Sequence, residues 1–86
     1  MFYVYLLQSN IREEKFYLGF TNDLARRLSE HNRGESIYTE PFSPWHLVYY
    51  EAFVSERDAR QRERKLKYHA KRMHELKKRL GGSIQF

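Results

Sequence analysis

Two runs of alternating aromatic and aliphatic residues, "FYVYLL" (2–7) and "FYLGF" (16–20), flank the polar stretch "QSNIREEK". Aromatic and β-branched residues at period two suit half-buried strands. Residues 2–20 are therefore expected to form a hairpin with a longish loop. In a chain of 86 residues such a hairpin dictates the rest, because one small domain can bury only a compact core. Alternation puts Tyr3, Tyr5 and Leu7 on one face, and Phe2, Val4 and Leu6 on the other. Phe16, Leu18 and Phe20 share a face, and Tyr17 shares the opposite one with Gly19. A glycine inside a strand weakens it and marks a bulge or the close approach of another group.

Thr21 or Asn22 is expected to cap a first helix, with Asp23 in its first turn. Leu24 and Leu28 form its apolar stripe, and Gly34 is its stop. "SIYTEPFSPW" (36–45) reads as a loop, and "HLVYYEAF" (46–53) as a third strand. "SERD" (55–58) is a capping box that opens a basic helix to about Tyr68. A further helix, at about 70–80, carries Met73, Leu76 and Leu80 on one side. The order β-β-α-β-α-α predicts an α+β fold: a small, three-stranded, mainly antiparallel sheet with flanking helices. The domain is expected over 1–80, with "GGSIQF" (81–86) as a loose tail or a short added strand.

Charge is unevenly distributed. Residues 1–56 hold five Lys/Arg and eight Asp/Glu, a net of −3; residues 57–86 hold eleven and three, a net of +8. A basic last third suits an anionic partner, most often nucleic acid, although a merely solvated basic helix reads the same way. The chain has no cysteine, which excludes disulfides and thiolate metal sites and suits a reducing cytoplasm. The apolar run at the N-terminus is too short to span a bilayer, so a soluble, cytoplasmic protein is expected. Nothing in the sequence calls for a membrane or an obligate protein partner. H-E-x-x-H, glycine-rich phosphate loops and G-x-S-x-G are lacking.

Three sets of residues could carry chemistry. Arg27 and His31 lie one helical turn apart and flank the Leu24/Leu28 stripe. Such an arginine can hold a phosphate with its planar fork, or simply snorkel from an amphipathic helix. Glu63 recurs with Ala59 and Leu66 at i, i+4 and i+7, a core-facing pattern in which a carboxylate needs a job or a partner. It could hold a divalent cation, since Mg²⁺ commonly takes one or two carboxylates plus phosphate and water. It could equally pair with Arg27 or Lys67. Tyr5 and Tyr17, on the two strands of one hairpin, could sit on one sheet face and join general acid–base chemistry, or merely pack.

Taken in order, these residues resemble the GIY-YIG nuclease family, in particular its small single-domain bacterial branch (UPF0213-like). "VYL" (4–6) matches the first signature through Tyr5, and "YLG" (17–19) the second through Tyr17 and Gly19. "TNDLARRLSEHNRGE" (21–35) resembles the helix bearing the family's arginine and histidine, here Arg27 and His31. "PWHLVYYEAFVSERDARQRERKLK" (44–67) resembles the third strand and the helix bearing the metal-binding glutamate, here Glu63. The first signature lacks its glycine, and the asparagine that many members carry after the glutamate is missing.

The resemblance implies a metal-dependent endonuclease that hydrolyses phosphodiester bonds with one divalent ion, Mg²⁺ or Mn²⁺. It assigns the metal to Glu63, the scissile phosphate to Arg27 and deprotonation of water to Tyr5. Tyr17 and His31 would orient the water or the other phenol, and Gly19 has a structural place beside Tyr17. Asn32 would contact substrate. Arg62, Lys65, Lys67, Lys71 and Arg72 would grip the backbone of single-stranded or branched DNA, or of RNA, without strong sequence specificity. Tyr38, Phe42 and Trp45 could stack on unpaired bases, or Trp45 could close the core. The rival reading is a catalytically weak nucleic-acid-binding module of the same fold.

Overall fold

A computed structural model describes residues 1–84. Strand β1 (Phe2–Ser9) lies between β2 (Phe16–Thr21) and β3 (Trp45–Phe53), antiparallel to both. Helix α1 (Leu24–Asn32) follows β2, a short 3₁₀ turn (Glu40–Phe42) precedes β3, and α2 (Glu56–Tyr68) and α3 (Ala70–Arg79) end the fold. The α+β architecture and element order are those expected from the sequence.

The central strand shows why the hairpin organises the chain. From Val4 to Ser9 β1 is buried on both faces. Tyr5 and Leu7 join Trp45 in one cluster, against which Tyr17, Leu24 and Leu28 pack. On the other face Val4 meets Ala59, Leu66 and Leu76 from α2 and α3, while Leu6 meets Val48 and Ile84. A fully buried leucine such as Leu66 contributes about 1.5–3 kcal/mol. One sheet thus separates two small cores. A register shift between Leu6 and Leu7 lets Leu6 face Tyr49 and Leu7 face Leu47, with Val48 as the extra residue of a bulge.

The helix ends correct the sequence reading in two places. Asp23, rather than Thr21 or Asn22, caps α1 and accepts from Arg26 N at 3.1 Å. Thr21 instead accepts from Asp23 N at 3.1 Å, which fixes the entry to the helix. The tail is not loose as far as Ile84. Ser83 N and Ile84 N both donate to Leu80 O, and the Ile84 side chain is buried against the sheet; residues 85 and 86 lie outside the described residues. Elsewhere the reading holds. Gly34 takes φ +74° just beyond α1, and Ser55 Oγ accepts from Asp58 N at 3.2 Å to cap α2.

Candidate active site

The hairpin register brings the two tyrosines together. Tyr5 faces Gly19 directly and Leu7 faces Tyr17, so the phenols lie diagonally on one sheet face, ring centroids 6.3 Å apart. Gly19 is what makes this possible. A Cβ there would overlap Oη and Cζ of Tyr5 and lie 2.9 Å from Tyr17 Cε2. The room that Gly19 leaves is thus chiefly for the Tyr5 phenol that crosses it.

Helix α1 lies over this face. His31, expected at the border of the apolar stripe, is completely buried, whereas Leu24 and Leu28 remain partly exposed. The reason is that both of its ring nitrogens find partners. Nε2 lies 2.9 Å from Tyr5 Oη, and Nδ1 lies 2.8 Å from Thr39 Oγ1. Thr39 Oγ1 also donates to Ser36 O at 3.4 Å. With its own proton so directed, the threonine oxygen accepts from Nδ1–H. Nε2 is then the bare nitrogen that accepts the Tyr5 proton. Tyr17 completes the group, its ring centroid 4.8 Å from that of His31.

Burial tunes both members of this pair. Loss of hydration, aided by the charge of Arg27, lowers the His31 pKa to about 4, so the imidazole is neutral at neutral pH. Burial and the neighbouring Tyr17 push the Tyr5 phenol up to about 12, so it stays protonated unless a base takes its proton.

Arg27 pairs with Glu30 through Nη1–Oε1 at 2.9 Å, not with Glu63. Its charge is held permanently, first by Glu30 and then by the nearby Tyr5 and Tyr17 hydroxyls. Glu63 approaches from the other layer. At about 100° per residue, Arg62 and Glu63 flank the Ala59/Leu66 stripe on opposite sides. Arg62 turns toward β3 and pairs with Glu51 at 2.9 Å, while Glu63, on the other side of the stripe, is near enough to act on the charge of Tyr5. Among the described residues Glu63 forms no ion pair, so neither pairing considered from sequence is realised.

No group of three or more metal-ligating side chains exists among the described residues. A single carboxylate such as Glu63 is therefore the donor to be weighed. The donor set fits Mg²⁺ or Mn²⁺, whose shell is completed largely by phosphate and water.

The proposed nucleic-acid contacts divide. Lys65, Lys67, Lys71 and Arg72 are exposed on α2 and α3, free of ion pairs among the described residues. Arg62 does not join them, because Glu51 neutralises it against the sheet. Asn32 likewise has a structural job. Its Oδ1 accepts from Trp45 N at 2.6 Å and its Nδ2 donates to Trp45 O at 3.1 Å, which ties the end of α1 to the start of β3. Trp45 is core, donating through Nε1 to Thr39 O at 2.8 Å; Tyr38 is exposed.

Two residues of the site were not singled out from sequence. Glu30 stands at i+3 from Arg27, a spacing that could have disclosed it. Thr39 carries no local signal, since only the fold brings the 36–45 loop against His31.

No helix among the described residues is long and apolar enough to cross a membrane. The chain is 42% identical over 64 residues to a UPF0213 protein of Clostridium perfringens, an alignment covering 73% of this chain and 67% of that protein. It is 39% identical over 66 residues to a UPF0213 protein of Haloquadratum walsbyi, covering 76% and 72%. Its fold is similar to the solution NMR structure of the UPF0213 protein BH0048 from Bacillus halodurans. That match has a TM-score of 0.56 and 33% identity, and covers 95% of this chain and 87% of that one. A family model for the GIY-YIG catalytic domain matches residues 1–79, and with Tyr5, Tyr17, Arg27 and His31 gathered on one face of the hairpin, the chain belongs to the GIY-YIG family, a nuclease superfamily, as a small UPF0213-like member.

Proposed function

We propose that this protein is a divalent-metal-dependent endonuclease that hydrolyses phosphodiester bonds in DNA, single-stranded or branched, without strong sequence specificity. The observation that carries the reading is the Tyr5–His31 hydrogen bond, because it puts a ring nitrogen in reach of the proton of a buried phenol.

In this mechanism Tyr5 takes a proton from the attacking water as its own proton passes to His31 Nε2. Thr39 holds the imidazole in the tautomer that can receive it. The high pKa of Tyr5 makes the phenolate a strong base once formed, and His31 lets it form only in step with the transfer. Tyr17, packed on both rings, limits the water to one side. Arg27 sets a permanent charge beside the phosphoryl oxygens as negative charge grows there. Glu63 would hold the metal, which when bound supplies Lewis-acid stabilisation of the phosphoryl group. The lysines of α2 and α3 would hold the flanking backbone in a salt-dependent manner.

The test is incubation of purified protein with labelled single-stranded, duplex and branched DNA and with RNA, in Mg²⁺, Mn²⁺ or chelator. Cleavage of single-stranded or branched DNA that stops in chelator is expected. Binding without metal-dependent cutting of any substrate would overturn the reading in favour of a binding module.

A further inference from the structure

Beside the candidate site lies a cleft of about 530 Å³ between β2, α2 and α3. Its apolar lining includes Phe16, Leu18, Leu66 and Met73, and Lys67 and Lys77 bring positive charge. Its volume lies within the range of small-ligand sites. The cleft opens on the face of the sheet opposite the tyrosine pair, at the β2 edge, and two features relate it to the site. Tyr17 belongs to both, touching His31 with one part of its ring and lining the cleft with its residue. Lys67 stands one turn beyond Glu63 on the same side of α2.

The charges say what kind of molecule fits. Among the described residues neither Lys67 nor Lys77 has an acidic partner, and every ion pair among them belongs to an arginine. The Lys77 ammonium lies 4.0 Å from the Phe16 ring centroid, at the apolar wall itself. His74 also lines this cleft, and it shares Phe16 and Lys77 with a smaller one reaching Ile84. An apolar, aromatic-walled space fringed by unpaired cations fits a flat apolar ring that carries a phosphate. A strand running from the site around the β2 edge, past Tyr17, would bring one of its nucleotides here. A paired base must give up its pairing and stacking to enter such a space, whereas an unpaired one gives up far less.

We infer that this cleft receives the base of one unpaired nucleotide of the bound strand, with Lys67 and Lys77 on the adjoining phosphates. The inference rests on the nuclease reading and deepens it, since it makes an unpaired nucleotide the feature of substrate that the protein selects. Ala70 and His74, both exposed, line the cleft without supporting the core, so a bulky residue at either would fill it.

The experiment is fluorescence anisotropy in chelator, which stops cutting. Two labelled 20-mers of equal charge are compared, single-stranded oligothymidine and a fully abasic sugar–phosphate strand. One stacked base is worth about 1–3 kcal/mol, so the natural strand should bind the wild type about 5- to 150-fold more tightly. In Ala70→Trp the ratio should fall below about twofold while affinity for the abasic strand is kept. His74→Trp is the second plug, should the first not fold as judged by circular dichroism. Equal binding of the two strands by the wild type, or a base preference that persists in a folded plug variant, would overturn the inference. Binding to neither strand would overturn it together with the nuclease reading. Base preference lost in the plug variants of a protein that never cuts DNA would sustain the cleft and refute the nuclease.

Discussion

Gly19→Ala is the smallest change that should dismantle the site. The added methyl would overlap Oη and Cζ of Tyr5, a side chain only 1% exposed and walled in by Leu7 and Trp45. Gly19 does not have a positive φ, so alanine brings no backbone strain and the whole cost is steric. Overpacking of this kind costs about 1–3 kcal/mol. Displacing the phenol also breaks its hydrogen bond to His31, for about 1 kcal/mol more. Together these should lower Tm by roughly 10–30 °C in a domain of this size, with a parallel loss of cutting. Thermal and urea unfolding measure the stability, and a second background isolates the cause. In Tyr5→Leu the phenol is gone, and the same Gly19→Ala change should cost under about 1 kcal/mol, the coupling expected of neighbours. If Gly19→Ala costs the same in both backgrounds, or less than about 0.5 kcal/mol in the wild type, the close approach of Tyr5 is not what requires a glycine.

Three further outcomes are expected. His31 titrates at about 4 when folded against an ordinary 6.5, so the unfolded chain binds a proton that the folded chain refuses. Its contribution is complete above about pH 6.5 and is lost between about 6.5 and 4, by about 3 kcal/mol in all. Urea midpoints across that window should fall more steeply for the wild type than for His31→Gln, and equal slopes would contradict this. Arg27→Ala should cut the rate by ~10²–10³ in single-turnover assays while changing stability by less than about 1 kcal/mol, because its pair with Glu30 is partly exposed; a large stability loss would make Arg27 structural. Asn32→Ala should cost about 1–3 kcal/mol in urea unfolding by stranding the Trp45 N–H, and it should leave the salt dependence of DNA binding unchanged, unlike loss of a phosphate contact.

The elements were legible because each carries its own local signal: alternation in β1 and β2, the Ser55 cap and the glycine beyond α1. The tyrosine pair was legible too, since strand period fixes which side chains share a face. What sequence could not supply was the third dimension of α1 and the 36–45 loop. His31 looked like a border residue because helix phase alone cannot show that Thr39 and Tyr5 would satisfy both its nitrogens. Arg62 looked like a phosphate contact because its partner Glu51 lies on another element, β3, eleven residues earlier. Ile84 looked loose because a single apolar residue after two glycines has no period to read. Asn32 was drawn into the site by its neighbour His31, whereas its amide is taken up by Trp45.

The central claim is that one carboxylate on α2, near enough to act on Tyr5, serves a phosphodiester-cutting site. Glu63→Gln keeps the shape and removes the charge of a side chain that forms no ion pair among the described residues, so the fold should survive. The most direct measurement is single-turnover cleavage of labelled single-stranded DNA in Mg²⁺ by the wild type and Glu63→Gln, purified in parallel and matched in thermal stability. The account predicts metal-dependent cutting by the wild type and a loss of at least ~10²-fold in the variant. Equal cutting by both proteins would contradict it.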